Sequence, residues 1–158
     1  MDAFCSMEHD SDVVVFMGYG SLAPEIKNNA ACYPCVYFRE AVSPERLLDY
    51  TASADYGVLL YENSCLNHYY CLPNKAFEYI MAGTPLVVSN LFEIRKLVED
   101  NQIGIVASEN SVTALLEAIK QIRQFDRSKM VNKLMRLRKS YCWEMQEKVL
   151  LSVYQEII

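Results

Sequence analysis

Ser64-Cys-Leu-Asn-His-Tyr-Tyr-Cys-Leu-Pro-Asn-Lys-Ala-Phe-Glu-Tyr-Ile-Met-Ala-Gly-Thr-Pro-Leu-Val-Val-Ser89 is the stretch whose reading decides the fold. It passes from a polar and aromatic loop, Glu62 to Cys71, into a helix, a turn and a strand. Leu72-Pro73 opens the helix, which runs through Met81-Ala82 until Gly83 stops it, because glycine accepts the backbone that ends a helix. Pro85-Leu-Val-Val88 then reads as a short buried strand. A helix N-terminus offers unpaired backbone N–H groups and a partial positive charge, and both suit a phosphate. Lys75 falls in the first turn, where a cation opposes the helix dipole, so a lysine there makes better sense beside an anion. Glu78 follows one turn later, placed to accept hydrogen bonds from sugar hydroxyls. On spacing alone, both residues also read as ordinary exposed helix positions.

The same alternation extends to both sides. Upstream, Asp12 to Gly18, Cys35 to Phe38 and Tyr56 to Tyr61 are compact apolar runs that predict strands. Between them lie a helix over Leu22 to Ala31 and another from Pro44 to about Ala54. The second has a clear start in Ser43-Pro44-Glu45: a hydroxyl cap, a proline tolerated at the first helical position, and an acid at the positive end of the dipole. Downstream, Leu91 to Asp100 predicts a helix and Ile103 to Val106 a strand. Val112, Leu115, Leu116, Ile119 and Ile122 recur at helical spacing. Asp126 to Ile158 reads as helical throughout, with Val149, Leu150, Val153, Tyr154 and Ile157 as an apolar stripe. Strands alternating with helices of this length imply an α/β fold: a Rossmann-like parallel sheet with helices on both faces and a long C-terminal helix. Ligands of such sheets bind at the carboxyl ends of the strands. That directs attention to the loops Gly18 to Ser21, Arg39 to Ser43, Glu62 to Asn74 and Ser89 to Leu91.

Composition narrows the function classes. The chain has 158 residues, of which 52% are hydrophobic and 22% charged, with a net charge of −5. That is globular composition, and a domain of this size buries roughly 70% of the surface of its extended chain. The acidic balance argues against broad nucleic-acid binding, which needs clustered Lys and Arg. The basic run from Lys129 to Lys139 reads as a solvated helix face. No apolar stretch approaches the ~20 residues of a membrane span. The acidic N-terminus is unlike a secretory signal, so a cytoplasmic location is expected, with attachment to the inner face of a membrane left open. The six cysteines are then expected to stay reduced. Cys32-Tyr-Pro-Cys35 has the spacing of a redox pair, but it precedes a strand instead of opening a helix. Cys65, Cys71 and His68 lack the spacing of a zinc site. The tyrosines Tyr61, Tyr69, Tyr70 and Tyr79 read either as core packing or as a sugar platform.

Leu72-Pro-Asn-Lys-Ala-Phe-Glu-Tyr-Ile-Met-Ala-Gly-Thr-Pro-Leu-Val-Val88 resembles the donor-site signature of family 4 retaining glycosyltransferases of the GT-B type. Other segments resemble the same family in the same order. They are Val14-Val-Phe-Met-Gly-Tyr-Gly20, Val36-Tyr-Phe38, Pro44 to Asp55, Phe92-Glu-Ile-Arg95, Gly104-Ile-Val106 and Tyr141-Cys-Trp-Glu144. The resemblance implies transfer of a glycosyl unit, with retention, from a nucleoside diphosphate sugar to a saccharide or lipid-linked acceptor. It implies no cofactor and usually no metal, and the chain carries no Asp-x-Asp motif. Lys75 and Glu78 are the residues it marks for catalysis, Glu78 as the second glutamate of a Glu-x7-Glu motif that hydrogen-bonds the donor ribose. The first glutamate would fall at position 70, where this chain has Tyr70. Leu72, Pro73, Asn74 and Lys75 match the helix start that faces the diphosphate and sugar. Gly18, Gly20 and Arg39 match positions near the domain cleft and the base-contacting loop.

Measured against that family, two elements are missing: the N-terminal domain that holds the acceptor, and the first strand and helix of the donor domain. The reading that follows is a polar segment over residues 1–11 and a partial nucleotide-sugar-binding domain over 12–158. The chain is expected to be a truncated frame or half of a split enzyme, with a partner chain supplying the missing half. In the family's sheet the absent strand lies in the middle, so its neighbours would have unpaired edges. On its own the chain is then expected to be poorly soluble or partly molten. Two alternatives remain at this level: a non-catalytic nucleotide-binding or interaction module, and a sugar-nucleotide epimerase of the same architecture.

Overall fold

The computed structural model describes residues 2–5 and 12–157. In chain order its elements are α1 (Asp2–Cys5), β1 (Val14–Met17), α2 (Ala23–Cys32), β2 (Val36–Arg39), α3 (Pro44–Ala52), β3 (Gly57–Leu59), α4 (Leu66–Tyr70) and α5 (Asn74–Ala82). They continue with β4 (Leu86–Val88), α6 (Phe92–Asn101), β5 (Gly104–Val106), α7 (Val112–Gln124), α8 (Arg127–Leu137) and α9 (Trp143–Ile157). All strand pairs are parallel. The alternation of strands and helices is therefore the α/β arrangement that the sequence predicts. The chain divides into two compact units, Met1–Leu47 and Leu48–Ile158.

In the first unit β1 pairs with β2 in the register Val14↔Val36 to Met17↔Arg39. Side chains alternate across this pair: Val36 is buried and Tyr37 exposed, and Val15, opposite Tyr37, is exposed too. Helix α2 packs against β2. Ala3 and Phe4 of α1 are buried, and the Cys35 thiol donates to the Phe4 carbonyl at 3.3 Å. Those two apolar residues lie inside the stretch that the sequence presents as a polar segment.

The second unit holds the larger core. Its sheet has the order β3-β4-β5, with Leu86 of β4 opposite Gly57 and Gly104. Central β4 is buried on both faces, as its unbroken apolar run requires. Leu86 and Val88 join a core with Ile80 from α5, Ile94, Leu97 and Val98 from α6, and Leu134 from α8. Val87 points to the opposite face, and α7 packs on β4 and β5 with Ala114, Leu115, Ala118, Ile119 and Ile122 buried. Gly83 ends α5 with φ of 74°, the left-handed cap that the glycine predicts.

Three expectations need correction. The strands form two sheets and not one: among the described residues β1 pairs only with β2, and β3 only with β4. The stretch from Glu62 to Cys71 is not all loop, because Leu66–Tyr70 forms α4. Its signal is weak in sequence: the turn is held by a Ser64 Oγ–His68 Nδ1 hydrogen bond of 2.8 Å and by packing on α6. The segment from Asp126 onward is two helices, broken after Leu137. The break lets Tyr141 turn back on the core, with its ring 5.5 Å from that of Phe77. The apolar residues Val149, Leu150, Val153 and Tyr154 of the terminal helix α9 are exposed.

Candidate functional site

In a parallel sheet each connecting helix runs back against its strands, so its N-terminus lies at their carboxyl ends. Helices α5 and α6 therefore open at the same edge of the second unit's sheet. The turn between β4 and α6 is tied firmly to that edge. Buried Ser89 donates its backbone N–H to the Leu59 carbonyl at 3.2 Å, and its hydroxyl accepts from the Tyr61 N–H at 2.6 Å. The Asn90 amide donates to the Ser108 carbonyl at 3.3 Å, and Arg95 donates to the Asn90 side-chain oxygen at 3.2 Å.

The helix starts differ in how their N–H groups are satisfied. Ser111 caps α7 by accepting from the Ala114 N–H at 3.1 Å. Asp126 caps α8 by accepting from Ser128 and Lys129 at 3.0 and 3.3 Å. Helix α5 has Pro73 at its cap position in extended backbone, with no side-chain cap. Proline has no polar side chain to offer the first turn; its carbonyl accepts from the Ala76 N–H at 2.9 Å, and the N–H groups of Asn74 and Lys75 are left for solvent or a ligand. Lys75 is exposed and has no ion pair among the described residues. Its charge adds to the positive end of the helix, which costs stability unless an anion sits there.

The other residues marked in the sequence sit around this start. Asn74 is exposed, Pro73 is half-buried, and Leu72 packs against the core, anchoring the approach to the helix. Glu78 is half-buried one turn further along, and its side chain has no hydrogen bond or ion pair among the described residues. It lies beside Tyr79, whose phenol is pushed above its ordinary range by burial and then by the Glu78 charge. Tyr70 ends α4, just before this start, and is exposed. Tyr70, Leu72, Pro73, Asn74, Lys75 and Glu78 thus form one local set within the second unit.

Gly18, Gly20 and Arg39 form a separate set at the carboxyl ends of the first unit's strands. The Gly18 N–H donates to the Arg39 carbonyl at 3.1 Å, continuing the β1–β2 pairing by one residue. Gly18 and Gly20 have φ of 146° and 154°, which L side chains rarely adopt, yet a Cβ at either would meet nothing within 4 Å. These glycines serve the backbone path and leave open space over the strand end. Exposed Arg39 borders a shallow depression with Lys27 and Phe38, where the Lys27 ammonium lies 4.8 Å from the Phe38 ring centre and pairs with Glu40 at 2.7 Å.

The aromatic residues resolve into two kinds. Of the four tyrosines singled out in the sequence, Tyr61, Tyr69 and Tyr79 pack on the core and Tyr70 is substantially exposed. Phe92, the first residue of α6, completes a ring cluster with Tyr69 and Tyr70 that sequence reasoning did not connect to the site. An aromatic directly after a strand-end loop was the available signal. Cys32 is exposed, Cys35 is engaged by the Phe4 carbonyl, and all six cysteines are free. Among the described residues no group of three or more His, Cys, Asp or Glu is placed to hold a metal. No described helix is long and apolar enough to cross a membrane.

Parallel strands with helix starts gathered at their carboxyl edge define a Rossmann-like α/β domain. The family model for glycosyl transferases group 1 matches residues 2–124, and the chain belongs to that family. The fold matches the crystal structure of WaaG, described as a glycosyltransferase involved in lipopolysaccharide biosynthesis, with a TM-score of 0.66 and 16% sequence identity. The match covers 94% of this chain and 40% of WaaG, so the chain spans less than half the length of that protein. No curated protein matches the chain.

Proposed function

We propose that this chain is the donor-binding domain of a family 4 retaining glycosyltransferase, which takes a sugar from a nucleoside diphosphate sugar for a saccharide or lipid-linked acceptor. The observation that carries this reading is the open start of α5, with Lys75 in its first turn and no side-chain cap. The donor diphosphate lies against the N–H groups of Asn74 and Lys75 and the Lys75 ammonium. Glu78, one turn on, accepts from the ribose hydroxyls. As the glycosidic bond breaks, positive charge grows on the sugar ring and negative charge on the departing diphosphate. Fixed N–H dipoles and a cation aimed at that oxygen stabilise the transition state more than the ground state. Polysaccharide biosynthesis is the setting that fits, by analogy with the lipopolysaccharide biosynthesis described for WaaG, and a cytoplasmic location belongs to the same proposal. An acceptor domain on a partner chain, or elsewhere in the same protein, completes the enzyme.

A second reading, a nucleotide-binding module without turnover, is favoured by Tyr70 standing where the resemblance places a glutamate. The test is a thermal-shift panel of UDP, GDP, ADP and their hexose conjugates on purified protein, with Glu78→Ala alongside. Stabilisation by one nucleotide and its loss in Glu78→Ala support a donor site. No shift from any nucleotide with a folded sample rules the donor site out. Donor hydrolysis or transfer on adding candidate acceptors separates the enzyme from the silent module.

A further inference from the structure

The cluster formed by Tyr69, Tyr70 and Phe92 is built like a support with a working surface. Tyr69 is packed into the core and anchors it. Its ring meets that of Tyr70 edge-on at 4.9 Å and lies 6.0 Å from that of Phe92, and Tyr70 and Phe92 meet edge-on at 5.5 Å. Edge-to-face contacts fix ring orientation, and a tyrosine has few torsions to lose on binding. Yet Tyr70 keeps 54% of its surface exposed and Phe92 36%. The cluster joins the end of α4 to the first residue of α6, at the carboxyl edge of the sheet. Four residues after Tyr70, Asn74 begins the uncapped helix α5.

Resting on the donor-site reading above, we propose that Tyr70 and Phe92 are the stacking platform for the donor's sugar, and that they select a neutral hexopyranose with a continuous C–H face. The resemblance assigns position 70 to a glutamate, which would hold the sugar through its hydroxyls. An exposed aromatic ring does this differently. Its electron-rich face attracts the partly positive C–H bonds on the flat side of a pyranose, and it excludes water from that side. The diphosphate at the α5 start and the sugar ring on Tyr70 then occupy neighbouring parts of one edge. Phe92 is the specificity residue that the motif alone does not reveal: it borders the platform and holds the Tyr70 ring in place.

The experiment is calorimetric titration of wild type, Tyr70→Phe, Tyr70→Ala, Phe92→Leu and Phe92→Ala with UDP and UDP-glucose, GDP and GDP-mannose, and ADP and ADP-glucose. The quantity read is the ratio of the Kd for the nucleotide to the Kd for its sugar conjugate. Circular dichroism checks each variant's fold. Tyr70→Ala is expected to lower that ratio by about 2- to 10-fold, the range that aromatic contacts give. Phe92→Ala is expected to lower it less. Tyr70→Phe, which keeps the ring and removes the hydroxyl, is expected to keep the ratio. Phe92→Leu preserves apolar volume should Phe92→Ala unfold, and its loss of the ratio is also expected. An unchanged ratio in Tyr70→Ala overturns the platform while leaving the donor site standing. Equal losses in Tyr70→Phe and Tyr70→Ala overturn it in favour of a hydroxyl contact. Failure of folded wild type to bind any nucleoside diphosphate overturns the donor-site reading and the platform together.

Discussion

Replacing Lys75 with glutamine is expected to make the free protein more stable and its donor site weaker. Lys75 sits in the first turn of α5, exposed, with no ion pair among the described residues, on a helix without a side-chain cap. Its ammonium adds to the positive end of the dipole, an effect worth about 0.3–1 kcal/mol at an exposed site. Glutamine keeps the chain length and nearly the same helix propensity, so removing the charge is the dominant change. For a chain of this size that gain corresponds to a rise of about 1–4 °C in Tm. With a nucleoside diphosphate bound, the sign reverses. A hydrogen bond to a charged group contributes about 1.5–3 kcal/mol, so losing it raises Kd by about 10- to 150-fold. Differential scanning fluorimetry without ligand reads the first effect, and calorimetric titration with nucleoside diphosphate reads the second. Salt provides an internal check, because screening shrinks the dipole effect at an exposed site. A lower Tm with unchanged nucleotide affinity would refute the reasoning, since Lys75 would then be supporting the fold and not facing an anion.

Three further outcomes test the fold itself. Gly104→Ala is expected to prevent folding, because a Cβ there would clash with the Leu86 carbonyl oxygen, a backbone atom of the central strand; loss of the cooperative thermal transition reads this. Asp126→Ala removes the acceptor for two N–H groups at the start of α8 and is expected to cost about 1 kcal/mol in urea unfolding, with the m-value unchanged. The Tyr79 phenol is raised from its usual value of 10.0 by burial and then by the Glu78 charge. Below pH 10 the folded and unfolded states are both protonated at this site. Above it the unfolded chain ionises first, so stability is expected to fall as the pH rises towards the folded value, and Tyr79→Phe is expected to flatten that decline.

Much of the α/β plan was legible because its signals are local. Gly83 can end α5 wherever the helix lies, and the unbroken apolar run of β4 demands burial on both faces. The family motif likewise marked Lys75 and Glu78 without any knowledge of packing. What the sequence did not show depends on partners distant in the chain. Helix α4 is too short to form on propensity alone and exists by packing on α6. Leu137 and Tyr141 break the last helical stretch because both turn towards the core, a choice that local periodicity does not contain. Ala3 and Phe4 are buried amid acidic neighbours because the first unit offers them a surface. Tyr70 and Phe92 lie more than twenty positions apart, and only folding sets their rings 5.5 Å from each other. The candidate site's residues, a lysine at a helix start and a glutamate one turn on, were legible in the sequence, because their placement depends on residue types at helical spacing. The surface that would meet a sugar was decided by tertiary structure, because it depends on which side chains the core leaves exposed.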